Sequence, residues 1–287
     1  MNTTIRLNGK IAIVTGGSRS IGAAIAKRLA AEGAIVALTY NASPEKANAV
    51  VAAIEAAGGR AIAIAADAGN PEAVRAAVAD VAKRYGKIDI LVNNAGISVL
   101  GAPQDIKFDD FERILAVNVT GVFVATQEAL RHMGQGGRVI HIGSSMTQYA
   151  AFPTASAYTL TKGAVSGFMR GLVRDLGPLG ITVNTIHPGP TDSDMNPADG
   201  PIADFVKPGI AVGRYGVGAD IAGAVAYLAS DDGAFAVPRR TVANSELGQV
   251  RITAAVPLKY GSSCTHGLFF YWILALGIQI GESSTRR

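Results

Sequence analysis

What most constrains this chain is a regular exchange of two hydrophobic periods along residues 10–229. Short, continuously apolar and β-branched runs are what strands buried on both faces require. Lys10–Thr15 (KIAIVT), Ala34–Tyr40, Arg60–Ala66, Ile88–Val92, Arg138–Ile142 and Ile181–His187 all read this way. Between them the apolar residues switch to helical spacing. Ile21, Ile25 and Leu29 mark one face of a helix ending near Gly33; Ser43–Ala57 reads as a second, with Ser43 at the N-cap before Pro44. Further helical stretches fall at 71–84, 108–133, 156–177 and 218–229. Strand, helix, strand in this rhythm implies parallel pairing through right-handed crossovers. The expected fold class is therefore α/β, a doubly wound parallel sheet of the Rossmann type in a single domain. Residues 188–217, rich in glycine and proline and without periodicity, read as a mobile loop.

Composition removes several function classes. Hydrophobic residues at 49% against 17% charged exclude a disordered chain. The single cysteine, Cys264, excludes an internal disulfide framework and fits a reducing compartment. The net charge of +4 suggests nucleic acid until it is located: from residue 235 onward six basic side chains face two acidic ones, leaving 20 of each before it. The body is neutral, so no nucleic-acid partner is expected. Met1–Lys10 lacks the apolar core of a secretory signal. The apolar run Gly267–Gly281 is shorter than the roughly 20 residues of a spanning helix. A cytoplasmic protein with no membrane partner is the expectation. Histidines 132, 141, 187 and 266 have no metal-ligand spacing, and His187 reads as a structural residue at the end of a strand.

Thr15-Gly16-Gly17-Ser18-Arg19-Ser20-Ile21-Gly22 lies where the first strand passes into the first helix. Glycines there permit a tight turn and let backbone amides meet a pyrophosphate at the helix N-terminus, where the dipole favours anions. In folds that prefer NAD, an acid about 20 residues further on takes the ribose hydroxyls. Residues 36–43 (VALTYNAS) offer no acid, and Arg19 adds a cation beside the same pocket, so NADP is expected over NAD. Gly16, Ser18, Arg19, Ser20, Ile21, Gly22, Tyr40, Asn41 and Ser43 are the candidate contacts at this end.

Tyr158 and Lys162, four apart, project from one face of the 156–177 helix. Ser144 and Ser145 follow directly on the Arg138–Ile142 strand, at the carboxyl end where open α/β sheets place ligands; Asn93, Asn94, Ala95 and Gly96 close the preceding strand at the same rim.

Together these pieces resemble the short-chain dehydrogenase/reductase family: the Thr15–Gly22 loop, Asp67, Asn93-Asn94-Ala95-Gly96, Asn118, Ser145 thirteen residues before Tyr158, Lys162 and Pro188-Gly189, in the family's order. The resemblance spans residues 8–235 and is nearest to bacterial carbonyl and 3-oxoacyl-thioester reductases. It implies that Asn118, Ser145, Tyr158 and Lys162 are catalytic. Tyr158 donates a proton, Ser145 binds the substrate oxygen, and Asn118 holds a water leading from Lys162 to solvent. Lys162, also a cofactor contact, draws the phenol down from its ordinary pKa near ~10. Asp67 is implied to contact the adenine amine, Asn94, Ala95 and Gly96 to line the cofactor, and Pro188 and Gly189 to meet its carboxamide. The implied function is reduction of a ketone or aldehyde to an alcohol with hydride from NADPH, reversibly, by a homo-oligomer (tetramer or dimer). The alternative is a nucleotide-binding sensor on the same fold, since Pro188–Pro201 resembles a stretch of a relative linked to cyclic dinucleotides.

The chain departs from the family twice. Ser20 stands where glycine is usual, and its Cβ is expected to weaken cofactor binding. After Phe235 the usual last strand is replaced by an atypical tail, 236–287, which holds Cys264 and the sole tryptophan, Trp272. Ala243–Leu247 is what two adjacent cloning sites would encode, suggesting a shifted reading frame. Val250, Ile252, Ala254 and Val256 alternate and offer a substitute strand for the sheet edge.

Overall fold

The strands whose side chains are described alternate them between two helix layers, and this alternation organises the molecule. The computed structural model describes residues 5–150, 152–235 and the backbone of 251–254. All lie in the compact unit Met1–Val256; the second unit, Pro257–Arg287, is outside the described residues. The strands are β1 (Ile11–Val14), β2 (Ile35–Tyr40), β3 (Arg60–Ala65), β4 (Ile90–Asn93), β5 (Arg138–Ile142), β6 (Thr182–His187) and β7 (Arg251–Ala254). The helices are α1 (Ser20–Ala31), α2 (Pro44–Ala56), α3 (Pro71–Tyr85), α4 (Phe108–Leu115), α5 (Gly121–Leu130), α6 (Ser156–Leu176), α7 (Ala203–Val206) and α8 (Gly218–Ala229).

The sheet order is β3-β2-β1-β4-β5-β6-β7, with β1 to β6 parallel. Ala12 and Val14 of β1, Ile90 and Val92 of β4, and Ile140 and Ile142 of β5 face one layer with α1 and α8. Ile11, Ile13, Leu91 and Val139 face the other, with α3, α5 and α6. Both faces are covered, which is why the strands read as unbroken apolar runs. Each fully buried Ile or Leu, such as Ile140 and Leu91, contributes about 1.5–3 kcal/mol through lost water contact. Chain order reverses between β1 and β4, so the loops after these strands diverge and open a crevice at their carboxyl ends.

The structure refines the expected elements in three places. The long 108–133 helix is three pieces, since Ala116–Thr120 forms a π-helical turn between α4 and α5. The 188–217 segment carries a short helix, α7, whose Ala203 and Val206 join Ile210 and Tyr215 in a small apolar cluster. At the sheet edge Arg251–Ala254 pairs antiparallel with β6, in register Ile186↔Ile252. A strand does form where alternation suggested one; Val250, Val256, Cys264, Trp272 and the 267–281 run lie outside the described residues, as does the rest of the 236–287 tail. Among the described residues no helix is long and apolar enough to cross a membrane.

Candidate active site

A cleft runs along the carboxyl ends of β1, β4 and β5, and its walls carry nearly every residue singled out from the sequence. At one end the turn from β1 into α1 contributes Gly16, Ser18, Arg19, Ser20, Ile21 and Gly22. Gly16 has φ +64° and lies so close to Ala95 that a Cβ would approach the Ala95 Cα to 2.9 Å. At Gly22 a Cβ would collide with the Gly16 carbonyl. Asn94 locks the turn from β4: its side-chain amide donates to the Thr15 and Gly16 carbonyls at 2.9 and 3.0 Å, and its N–H to the Thr15 hydroxyl at 3.0 Å. Helix α1 starts with no side-chain cap and no acidic residue in its first turn. Its leading amides therefore suit a phosphate, and the glycine turn leaves room for one. A nicotinamide dinucleotide fits this donor set.

Tyr40, Asn41 and Ser43 line the cleft after β2. Ser43 is the N-cap residue of α2 as expected, without a side-chain cap bond. Asp67 lines it after β3, but its carboxylate is gripped in a fork by Arg113 of α4 (3.0 and 2.8 Å) and accepts the Gly69 N–H at 2.9 Å. The Arg113 hydrogen bonds hold the Asp67 carboxyl below its ordinary range. Arg113, also in the lining, was not signalled by any motif. Ser20 adopts φ +48°, the left-handed conformation that explains why glycine is usual there. Its hydroxyl donates to Asp194 at 3.0 Å and accepts the Asp194 N–H at 3.1 Å. Arg19 donates to the same carboxylate at 3.1 Å. Lys46 of α2, passed over in the sequence, stands 3.7 Å from it.

The middle of the cleft is formed by α6 and the end of β5. Tyr158 and Lys162 do share one helix face, with the Lys162 ammonium 5.8 Å from the Tyr158 ring centre. Both Ser144 and Ser145 line the cleft here, and the Ser144 hydroxyl is the one that draws the Tyr158 phenol down against burial. Ser144 follows β5 in extended conformation, and its hydroxyl accepts the Met146 N–H at 3.2 Å. Ser145 begins the following 3-10 turn, with its N–H bound to the Pro188 carbonyl, and lines the cleft beside it. The segment from serine to tyrosine is irregular, so a residue count alone does not decide which hydroxyl meets the phenol. His187 donates from Nδ1 to the Ser144 carbonyl at 3.0 Å, the structural placement expected of it.

Burial acts at the Tyr158 phenol against the lowering expected from Lys162. Desolvation pushes the phenol up, with Ser144 opposing, and draws the Lys162 amine down to about 8. Both shifts have one cause: a low-polarity site disfavours charge on either group. Lys162 Nζ donates to the Ile142 carbonyl at 2.9 Å. His141, buried below it, is pushed down to about 3 by desolvation and by Lys162, so it is neutral. Asn118 sits on the π-helical turn, a feature found mostly at functional sites. Its Oδ1 accepts the Ile97 N–H at 2.9 Å, and its Nδ2 donates to the Ile97 carbonyl (2.9 Å) and the Thr161 hydroxyl (3.0 Å). Asn118 is thus buried behind the wall rather than in it, but it reaches the site: its Oδ1 and Lys162 Nζ each lie 3.4 Å from where a Cβ on Gly96 would stand.

The other end of the cleft is apolar. Ile97 and Leu100 after β4, Met146 and Phe152 before α6, and Met195, Ile202 and Val206 from the 188–217 segment line it, with Pro188 and Gly189 at the junction. The charged lining residues are Arg19, Asp67, Arg113, Lys162 and Asp194, and of these only Lys162 is outside the nucleotide-end ion pairs.

Comparison with known proteins agrees with this geometry. Residues 10–201 match the short chain dehydrogenase family. A short-chain dehydrogenase from Burkholderia cenocepacia, solved in complex with NADP, is 54% identical with a TM-score of 0.79, over 80% of this chain and 94% of that one. The cyclic-di-GMP-binding biofilm dispersal mediator protein of Escherichia coli is 40% identical over 79% of this chain and 92% of its own length. Versicolorin reductase 1 of Aspergillus parasiticus is 38% identical over 80% and 93%. A phosphate-binding turn and a buried Tyr-Lys pair on one rim, in a fold and sequence matched this fully, place the chain in the short-chain dehydrogenase/reductase family of NAD(P)-dependent oxidoreductases.

Proposed function

We propose that the chain is a reductase that converts an apolar ketone or aldehyde into an alcohol at the expense of NADPH, reversibly, with Tyr158 as proton donor and Ser144 as the hydroxyl that steadies the substrate oxygen. The observation that carries this reading is the meeting of Ser144, Tyr158 and, one helical turn on, Lys162 on the lining of one cleft whose far end suits phosphate. The dinucleotide supplies the hydride; the chain's own residues do the rest. Burial keeps the Tyr158 phenol protonated at neutral pH, loaded to deliver its proton to the developing alkoxide. The Ser144 hydroxyl, positioned through its backbone by His187, offers a preorganised donor where that charge develops. Lys162, with a pKa near 8, can return a proton towards the phenol. Asn118 supports this wall by fixing Ile97 and Thr161. The apolar lining around Leu100, Phe152 and Ile202 favours an uncharged substrate that buries hydrocarbon surface. Arg19 near the nucleotide end, with no acid at the end of β2, favours NADPH over NADH.

A screen of NADPH oxidation against aromatic ketones, diketones and charged ketoacids tests the reading. Turnover of the apolar compounds that vanishes in Tyr158→Phe supports it; turnover retained in that variant overturns it. Identity to the dispersal mediator favours one second reading, a nucleotide-binding regulator on the same fold. That protein class would bind nucleotide and leave NADPH unoxidised across the whole panel.

A further inference from the structure

Two separate pieces of chain converge on Asp194, and none of the contacts belongs to the chemistry at Tyr158. From the β1–α1 turn, Arg19 Nη1 lies 3.1 Å and Ser20 Oγ 3.0 Å from its carboxylate oxygens. From α2, Lys46 Nζ lies 3.7 Å away. Asp194 itself comes from the segment after β6, and its own N–H returns to Ser20 Oγ at 3.1 Å. The Ser20 hydrogen bond, with Lys46 and Arg19, holds the carboxyl below its ordinary range, so it is anionic at neutral pH. Its side chain is half-exposed, at 49%.

The proposed preference for NADPH rests on the cation at Arg19, and the following inference rests on that reading. The geometry points to Asp194 as an internal rival of the cofactor's 2′-phosphate, with Lys46 as a second cation for which the two anions compete. A carboxylate within hydrogen-bond distance of the guanidinium satisfies the same donors a phosphate needs, and its charge repels an incoming dianion. Arg19 and Lys46 supply attraction while Asp194 offsets part of it, so the three together set how sharply NADPH is separated from NADH. The same arrangement gives Ser20 a purpose. A left-handed conformation is strained for a non-glycine residue, and here its hydroxyl fastens Asp194 over the turn.

The test is equilibrium binding of NADPH and NADH to the full chain, followed by the nucleotide's own fluorescence at low salt, for the wild type and three variants. Asp194→Asn keeps the shape and removes the charge. It is expected to tighten NADPH about three- to fivefold, the scale of a half-exposed ion pair, while NADH changes less than about twofold. Lys46→Ala is expected to weaken NADPH by a similar factor and spare NADH. Weaker NADPH binding in Asp194→Asn, or an equal change for both nucleotides, overturns the inference. Arg19→Ala separates it from the reading beneath. If Arg19→Ala loses NADPH affinity about tenfold but Asp194→Asn gains none, only the rivalry fails. If Arg19→Ala leaves both nucleotides unchanged, the NADPH preference fails and the rivalry with it.

Discussion

The two walls of the cleft are built differently. The sheet-end wall, formed by the β1–α1 turn, the ends of β4 and β5, and α6, is buried and cross-linked: Asn94 to Thr15 and Gly16, Lys162 to Ile142, Asn118 to Ile97. The 188–217 wall reaches the cleft through side chains that solvent also touches, Met195 at 50% exposure and Ile202 at 39%. A wall held by backbone hydrogen bonds and burial keeps atoms in place to the tolerance that proton transfer needs. A wall of exposed apolar side chains on a connecting segment can change without unfolding the sheet. On the proposed function the chemistry sits on the first and substrate choice on the second.

The sharpest way to break this contrast is at the phenol. Tyr158→Phe is expected to lower kcat by about 10²–10⁴-fold with NADPH affinity retained, measured by turnover beside nucleotide titration. Next, Ser144→Ala should lower kcat by about 10²–10³-fold and Ser145→Ala by less than about threefold. The reverse order would return the role to Ser145, as the thirteen-residue spacing had suggested. A third probe reads burial of the sheet-end wall. The unfolded Lys162 takes a proton at its ordinary 10.5, the folded one only below about 8. The folded protein is thus penalised in full below pH 8 and gains stability as pH rises from 8 towards 10.5, by up to about 3 kcal/mol. Lys162→Met lacks that gain, so its Tm relative to the wild type should fall between pH 8 and 10; parallel curves would mean the amine is solvated. Gly22→Ala forces a Cβ against the Gly16 carbonyl and should cost about 1–3 kcal/mol of stability along with nucleotide binding. The smallest effect belongs to the other wall. Ile202→Ala should raise KM for an apolar ketone about threefold with kcat unchanged, since only part of an exposed side chain is lost.

Local sequence order determined a good deal of this protein. Six parallel strands, the glycine turn into α1, and the Tyr158–Lys162 pair were all legible. Each depends on spacing within one element: period two or near 3.6, or one turn of helix. Both glycine constraints were visible for the same reason, because Gly16 and Gly22 are neighbours across a single turn.

Only the tertiary structure brings Ser144 and Ser145 onto the same cleft as Tyr158, since the connection between β5 and α6 follows no period that fixes its path. The same holds for the fork of Arg113 on Asp67 and for the convergence of Arg19, Lys46 and Asp194, whose members lie 46 and 175 residues apart along the chain. It holds too for the π-helical turn at Asn118, which an apolar pattern continuous with helix does not announce. The sign of the pKa shifts was decided there as well. Sequence supplies a lysine beside a tyrosine, and so predicts attraction; the depth at which folding buries both adds desolvation, which pushes the phenol up and the amine down.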